Sequence, residues 1–201
     1  MSVNLKKGEK ISLTKPGGGL KKVRVGLGWD EAPVRRGLFF TSKAPSIDCD
    51  ASVLLCGEDG RLISGDVNSY CVYFGNLAHA SGAIIHAGDN LTGSGEGDDE
   101  QITVDLSRIP AGVSKLVFVV NIYDASVKNQ HFGMIRNAYI RLVDLSNNAE
   151  ICRFNLTEDY TGMTGMIVGE LYRRNGEWKF NAIGAGVREA SRLSQIFAMY
   201  K

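Results

Sequence analysis

The sequence predicts a mainly β protein, a β-sandwich of two antiparallel sheets with a C-terminal helix. Short runs rich in β-branched and aromatic residues recur between glycine, proline and acidic breaks, and only the last segment has helical periodicity. Because the 201 residues show no internal repeat or low-complexity linker, we expect a single domain over residues 1–201. The predicted strands are residues 23–27, 47–56, 70–74, 83–86, 102–106, 116–123, 138–145, 151–155, 167–172 and 178–183.

Two hairpin turns are predicted from composition. The Asn-Gly pair at 175–176 joins two alternating runs, and both residue types tolerate the positive φ of a type I′ turn. The Glu-Asp-Gly break at 58–60 predicts a similar hairpin with a longer loop. Residues 124–135 interrupt the strand pattern, and we expect a helical turn or a long loop there.

One helix is predicted, over residues 187–200. Its apolar residues follow the i, i+3, i+4, i+7 spacing of one helix face: Leu193, Ile196, Phe197 and Tyr200. We expect this face to pack against a sheet, because the polar face is too short and too mixed for a membrane-surface helix.

Charge is distributed unevenly along the chain. Residues 44–107 contain eleven acidic residues and one arginine, so this stretch carries −10 and the rest of the chain +11. Clustered carboxylates repel one another unless solvent, bases or cations neutralise them, which makes a bound cation an early hypothesis. The basic residues form short dispersed pairs, a pattern that argues against nucleic acid binding.

The N-terminus and the cysteines predict the compartment. The first ten residues have no apolar signal-peptide core, and the longest uncharged apolar run is too short to cross a bilayer. We therefore expect a cytoplasmic protein with no direct membrane insertion. The cysteines lie at wide spacings without a Cys-x-x-Cys pair, which predicts reduced core thiols: Cys49, Cys56, Cys71 and Cys152.

The most informative segment is the stretch 86–101, in which small residues alternate with Asp, Asn and Glu. Glycines let the backbone turn its carbonyl oxygens inward, and carboxylates supply charge, so together they suit Ca²⁺. Mg²⁺ requires a tighter octahedron, and zinc or copper favours His or Cys ligands. The order of the acids does not fit an EF-hand, and a solvated acidic loop is the alternative interpretation.

A second acidic element lies at the start of a predicted strand. Asp48 and Asp50 are separated by one residue, so the two-residue period of a strand projects both carboxylates to the same side. Because uncompensated burial of both charges is costly, we expect them at a sheet edge or loop mouth where a cation offsets them. The alternative is two acids on a solvated face.

Seven motifs occur in order along the chain: GLGWD (26–30), IDCDAS (47–52), GDNLTGSGEGDDE (88–100), FVVNIYDA (118–125), FGMIRNAYIRLVD (132–144), LTED (156–159) and GELYRRNGEWKF (169–180). They resemble the motifs of the TerD-type family of tellurite-resistance and stress proteins, over about residues 1–186. The resemblance implies a bacterial β-sandwich protein that binds two neighbouring Ca²⁺ ions.

Residue by residue, the resemblance implies ligands in both acidic elements, backbone carbonyls near three glycines, and Asn76 as a weaker candidate. The implied set is Asp48, Asp50, Asn76, Asp89, Asn90, Gly93, Gly95, Gly97, Asp98, Asp99 and Glu100. Asp30 would support the site without binding the ion. Ser46 replaces the first of three alternating acids that the family commonly has, and Gly75-Asn76 replaces an Asn-Asn pair. Either change would weaken one of the two sites.

The resemblance favours a non-enzymatic role, as a Ca²⁺-dependent scaffold or sensor module. The implied partners are other proteins of the stress and tellurite-resistance operon, at the inner membrane surface. The first alternative is a metal-dependent hydrolase that combines the acidic cluster with His79, His86 or His131, although no motif of a hydrolytic site accompanies these histidines. The second is tellurite chemistry at cysteine thiolates, which the acidic neighbours of Cys49 disfavour.

Overall fold

The structure is a computed structural model that describes residues 2–15, 18–31, 34–36, 40–42, 46–88 and 97–201. The strands within these ranges are β1 (Val3–Leu5), β2 (Lys10–Ser12), β3 (Thr14–Lys15), β4 (Gly18–Gly19), β5 (Lys22–Glu31), β6 (Val34–Arg36), β7 (Phe40–Ser42), β8 (Cys49–Cys56), β9 (Cys71–Val72), β10 (Ile84–His86), β11 (Glu100–Asp105), β12 (Lys115–Ile122), β13 (Ile135–Asp144), β14 (Ala149–Asn155), β15 (Gly165–Arg174) and β16 (Glu177–Val187). The helices are α1 (Val67–Tyr70), α2 (Ala125–Lys128) and α3 (Leu193–Phe197), with 3-10 turns at Phe132–Met134 and Ala198–Tyr200.

Two six-stranded sheets face each other. Sheet A has the order β1-β14-β13-β5-β11-β10, and sheet B has the order β2-β16-β15-β12-β8-β9. Strands β1 and β14 are parallel, and the other neighbouring strands of both sheets are antiparallel. Strands β3 and β4, and β6 and β7, form two separate ribbons. The predicted β-sandwich of antiparallel sheets is therefore confirmed, with one parallel pair.

The main core lies between the two sheets. Alternate residues of sheet A, such as Val25 and Ile140, meet alternate residues of sheet B, such as Phe118 and Leu55, and all four are fully buried. Each such side chain stabilises the fold by roughly 1.5–3 kcal/mol relative to an exposed position. Alternation along the strands therefore fixes which side chains reach the outer faces of the sandwich.

The C-terminal helix is shorter than predicted. The sequence predicts a helix over 187–200, whereas β16 continues to Val187 and α3 spans only Leu193–Phe197. The reason is a competing set of hydrogen bonds: Thr164 N–H donates to the Val187 carbonyl (2.9 Å), Thr164 Oγ1 donates to the Arg188 carbonyl (2.7 Å) and accepts from Ala190 N–H (2.9 Å). Residues up to 190 are therefore tied to the sheet.

The predicted docking of the helix is confirmed. Ile196 and Phe197 pack in a second apolar cluster with Leu54, Val117 and Val119, which lie on the outer face of sheet B. This segment therefore covers that face. In the part of the chain that the structure describes, no helix is both long and apolar enough to span a membrane.

Other local predictions have mixed outcomes. The hairpin at 175–176 is confirmed, because Asn175 and Gly176 both have positive φ (53° and 77°) between β15 and β16. The segment 124–135 contains α2 and a 3-10 turn, as the helical-turn alternative expected. The predicted strand 70–74 is reduced to β9 because Asp66 caps helix α1, accepting the Ser69 N–H bond at its Oδ1 (3.0 Å).

Candidate functional site

The Asp-x-Asp element lies at one end of sheet B. Asp50 lies in β8 directly opposite Asn121 of β12, and Asp48 precedes the strand with its carbonyl accepting a bond from Tyr123 N–H (2.8 Å). Asp50 is buried, and Lys128 Nζ lies 3.8 Å from Asp48 Oδ2. The expected position at a loop mouth fits Asp48 better than Asp50, because the Asp48 side chain is 22% exposed whereas Asp50 is 5% exposed.

His86 connects this element to the second acidic element across the sandwich. Its Nε2 lies 3.1 Å from the Ala51 carbonyl in β8 and 3.1 Å from Glu100 Oε2 in β11, while Nδ1 accepts from Gly88 N–H (3.1 Å). Because Nδ1 accepts, the proton of the neutral ring belongs on Nε2, which can donate to either oxygen. The side chains of His86 and Glu100 are both 1% exposed. Glu100 therefore lies beside the residue that follows Asp50.

Cys49 marks the place where the negative charges converge. Burial raises the pKa of the Cys49 thiol, and the charges of Asp50, Asp48, Asp99 and Glu100 raise it further. Two of these carboxylates come from the Asp-x-Asp element and two from the end of the acidic glycine loop. The carboxylates of both predicted acidic elements are therefore close enough to act on one buried thiol.

Asp99 is held by backbone groups of strand β5. Its N–H donates to the Leu27 carbonyl (2.8 Å), and its Oδ2 accepts from Trp29 N–H (2.8 Å). Burial raises the pKa of Asp99 above its usual range, the Trp29 bond lowers it, and the charges of Asp30 and Asp98 raise it. Asp99 is therefore a carboxylate whose ionised form is disfavoured by burial and by like charges.

Asp98 points to the outer face of sheet A. Its side chain is 0% exposed, its Oδ1 accepts from Arg141 Nε (2.7 Å) and Tyr139 OH (2.9 Å), and its Oδ2 accepts from Arg141 Nη2 (3.0 Å). Arg141 Nη1 also lies 3.3 Å from Glu150 Oε2. Asp98 consequently has a protein cation as its partner, which gives it a structural role that the sequence does not predict.

Two neutral oxygens near Asp50 have no hydrogen-bond partner among the described residues. They are Ser52 Oγ and Asn121 Oδ1, both buried. Ser52 follows Asp50 by two residues in β8, so these three side chains share one face of sheet B. Buried polar groups usually have a partner, so this face offers oxygen atoms suited to a hard cation.

The remaining predicted ligands are placed as follows. Asn76 Nδ2 donates to the carbonyls of Cys71 (2.8 Å) and Asn68 (3.2 Å), which stabilises the turn after β9. The Gly97 carbonyl accepts from Tyr139 OH (2.7 Å). Four predicted ligands lie outside the described residues: Asp89, Asn90, Gly93 and Gly95. Among the residues that are described, no three His, Cys, Asp or Glu side chains are grouped so that they alone could hold a metal ion.

The structure adds residues that the sequence predictions missed. Arg141 and Tyr139 belong to the FGMIRNAYIRLVD motif, and their alternation with buried Ile140 and Leu142 places them on the outer face. This alternation could have placed both side chains on the outer face from the sequence alone. It could not have identified Asp98 as their partner, because Asp98 is remote in sequence. Asn121 interrupts an apolar strand, and a polar residue at such a position is a signal for a buried site.

The described geometry gives no support to the hydrolase alternative. His79 Nδ1 lies 2.8 Å from Ser81 Oγ, its Nε2 lies 3.2 Å from the Ser69 carbonyl, and His131 Nδ1 accepts from Gly133 N–H (3.1 Å). These bonds stabilise local turns.

The predicted core thiols are confirmed, because all four cysteines are buried and free. Burial is the main cause that raises the pKa of Cys56 to about 11 and that of Cys152 to about 12.

Comparison with known proteins identifies the family. The TerD domain matches residues 1–200. Stress response protein SCP2 of Bacillus subtilis (strain 168) is 49% identical over 205 residues, covering 100% of both chains. Tellurium resistance protein TerD of Serratia marcescens is 42% identical over 200 residues, covering 100% of this chain and 97% of its own. The crystal structure of a homologue of telluride resistance protein from Streptomyces coelicolor A3(2) aligns with a TM-score of 0.60 at 25% identity, covering 84% of this chain and 90% of its own. The chain therefore belongs to the TerD domain family of tellurium-resistance and stress-response proteins.

Proposed function

We propose that this protein is a calcium-binding, non-enzymatic stress-response protein of the cytoplasm, in which the acidic end of the sandwich is a Ca²⁺-dependent scaffold or sensor surface. The observation that carries the proposal is that two separate acidic segments meet at His86, whose Nε2 lies 3.1 Å from the carbonyl of Ala51, the residue after Asp50, and 3.1 Å from Glu100 Oε2. The charges of Asp48, Asp50, Asp99 and Glu100 accordingly all raise the pKa of the buried Cys49 thiol. Four carboxylates in one region repel one another, and a bound divalent cation offsets that repulsion.

The donor chemistry at this end fits calcium. Ca²⁺ takes six to eight oxygen ligands, charged and neutral, in an adaptable shell. Carboxylates of both elements supply the charged oxygens, and Ser52 Oγ and Asn121 Oδ1 are neutral oxygens beside Asp50 that lack partners among the described residues. The predicted loop ligands Asp89 and Asn90 would complete the shell. Bound calcium would contribute positive charge that stabilises the ionised carboxylates.

The biological role follows by analogy with the relatives. Their names assign them to stress response and to tellurium resistance. For this chain we propose the same context, with partner proteins of the stress and tellurite-resistance operon at the inner membrane surface. A calcium-dependent change in charge at one end of the sandwich would give such partners a surface that differs between the free and loaded protein.

Calorimetric titration of metal-free protein with CaCl₂ tests the calcium site. We expect saturable binding, with up to two ions, and affinity roughly tenfold or more weaker in Asp50→Asn and Asp99→Asn. The matched control is Glu177→Gln, which removes one negative charge at the opposite end of sheet B. The absence of both binding heat and a calcium-induced rise in melting temperature would exclude the site. An equal loss of affinity in Glu177→Gln would reduce it to a general charge effect.

A pull-down from a native lysate, with the full chain as bait, tests the scaffold role. We expect operon-encoded proteins to bind in CaCl₂, to be released by EGTA, and to be lost with the Asp99→Asn bait. The Glu177→Gln bait serves as the control. Identical capture in CaCl₂ and in EGTA would refute calcium-dependent docking.

A further inference from the structure

A cavity of about 370 Å³ opens beside the outer face of sheet A, and none of the described carboxylates to which we assign calcium binding lines it. Its volume lies within the range of small-molecule sites, roughly 300–1,000 Å³. The lining includes two arginines, Arg141 and Arg153, together with Tyr139 and Trp29. Two positive charges in one cavity repel each other unless nearby groups neutralise them.

The two arginines are direct neighbours. Arg141 of β13 and Arg153 of β14 face each other in the register of these antiparallel strands. Like charges at directly opposite positions destabilise a sheet unless other groups compensate them. Arg141 is compensated by its two bonds to Asp98 and by Glu150. The positive charge that remains to be compensated is that of Arg153.

Arg153 has no ion-pair partner among the carboxylates that the structure describes. Its guanidinium carbon lies 3.5 Å from the centroid of the Tyr139 ring, and its Nε donates to Asn155 Oδ1 (2.9 Å). Neither partner carries a negative charge that would neutralise it. The Nη hydrogens have no acceptor among the described residues, although they form the fork that binds oxyanions in two parallel bonds.

The stacking on Tyr139 also fixes the plane of the Arg153 guanidinium. Tyr139 is itself held by its hydroxyl, which lies 2.7 Å from the Gly97 carbonyl and 2.9 Å from Asp98 Oδ1 and shares its one hydrogen between these two acceptors. A guanidinium that is already ordered loses less conformational entropy when it binds a ligand. The cavity thus contains a positioned, uncompensated cation.

We propose that this cavity binds the oxyanion group of a small ligand, a phosphate or a carboxylate, with Arg153 as the residue that contacts it. Asp30 also lines the cavity, but in the register of β5 and β13 it lies opposite Arg136, near the start of β13 and away from the Arg141–Arg153 pair, and its Oδ2 accepts from Asn137 Nδ2 (2.7 Å). The anion is therefore placed at the Arg153 end. We expect the anion to bind without calcium, because Arg153 contacts none of the described carboxylates to which we assign calcium binding.

Fluorescence of Trp29 tests this site. In a Trp178→Phe background, which leaves Trp29 as the single tryptophan, the full-length protein is titrated with sodium phosphate and separately with sodium acetate. EDTA is present and ionic strength is constant. We expect saturable quenching by at least one anion, and the anion that saturates identifies the ligand class.

The variants separate specific binding from general charge attraction. Arg153→Gln is expected to weaken binding roughly tenfold or more, because charge-assisted bonds are lost. Arg153→Lys keeps the charge but not the fork, so its affinity is expected to lie between those of Arg153→Gln and wild type. The matched control, Arg24→Gln, removes a cation of the same outer face that does not line the cavity.

Non-saturable responses to both anions, or equal affinities in wild type and either Arg153 variant, would overturn the proposal. Because EDTA removes calcium, a result that overturns the anion site would not bear on the calcium proposal.

Discussion

Asp98 and Arg141 form a bidentate ion pair on the outer face of sheet A, with Nε–Oδ1 and Nη2–Oδ2 distances of 2.7 and 3.0 Å. Asp98 directly precedes Asp99 and Glu100, so the pair anchors the end of the acidic glycine loop to the middle of β13. Gly26 makes room for it, because a Cβ at that position would collide with the Asp98 carboxylate. A structural ion pair thus lies beside the carboxylates to which we assign calcium binding.

Arg141→Ala is expected to lower the free energy of unfolding by about 3 kcal/mol, because it leaves the Asp98 carboxylate buried without a cation. Chemical denaturation measures the change. Adding Asp98→Asn to Arg141→Ala should recover part of the loss, since the buried charge is then removed. A loss below about 1 kcal/mol in the single variant, in the range of a surface pair, would show that Asp98 is solvated when Arg141 is absent.

Gly26→Ala is expected to destabilise the protein by about 1–3 kcal/mol, because the added methyl group displaces the Asp98 carboxylate from Arg141. Thermal denaturation gives the change. Gly112→Ala is the control, because a Cβ there meets no heavy atom within 4 Å. Equal stability of the two variants would argue against the close approach of Asp98 to β5.

Asp99→Asn is expected to stabilise the calcium-free protein at neutral pH. The pKa of Asp99 is raised above 3.8 in the folded state, so the folded state binds the extra proton between the two values and stability falls as pH rises through that window. An uncharged Asn avoids this loss and retains an oxygen for Trp29 N–H. We expect the melting temperature of the variant in EGTA at pH 7 to rise by about 2–4 °C.

The same variant should behave in the opposite way with calcium. If Asp99 is a ligand, the calcium-induced rise in melting temperature is smaller in Asp99→Asn than in wild type. A variant that is less stable than wild type in EGTA would show that the Trp29 bond outweighs the cost of the buried charge. Equal calcium-induced shifts in both proteins would remove Asp99 from the ligand set.

Phe197→Ala is expected to cost about 3–5 kcal/mol, because Phe197 is buried against the outer face of sheet B and contacts the Tyr70 ring edge-on at 5.4 Å. Urea denaturation followed by circular dichroism measures it. Met199→Ala, at an exposed position of the same segment, should change stability by less than about 0.5 kcal/mol. Similar effects of the two substitutions would contradict the docking of α3.

The four cysteines are expected to react with Ellman's reagent only after unfolding. All are buried, and burial is the largest cause of their raised pKa values, so the reactive thiolate is disfavoured in the native protein. The absorbance of the released thiolate, with and without guanidinium chloride, measures the reaction. Fast labelling of any native thiol would reopen the hypothesis of direct tellurite chemistry at cysteine.

The sequence by itself determined the sandwich, the 175–176 hairpin and the family. Alternation such as that of Val23, Val25 and Leu27 in β5 specifies a strand with one buried face, and Asn175-Gly176 specifies its turn through local φ preferences. These features depend on residues close together in the chain. The sequence could not fix the length of the C-terminal helix, because the hydrogen bonds that Thr164 makes with residues 188 and 190 are long-range.

Only the tertiary structure decided how the acidic residues divide their roles. The sequence presents Asp98, Asp99 and Glu100 as three equivalent carboxylates, but the fold directs Asp98 to Arg141, Asp99 to the Trp29 backbone and Glu100 to His86. It also places Arg153 opposite Arg141 without an acidic partner among the described residues. The physical reason is that charge compensation depends on distance in space, which strand register sets between segments that are far apart in the chain.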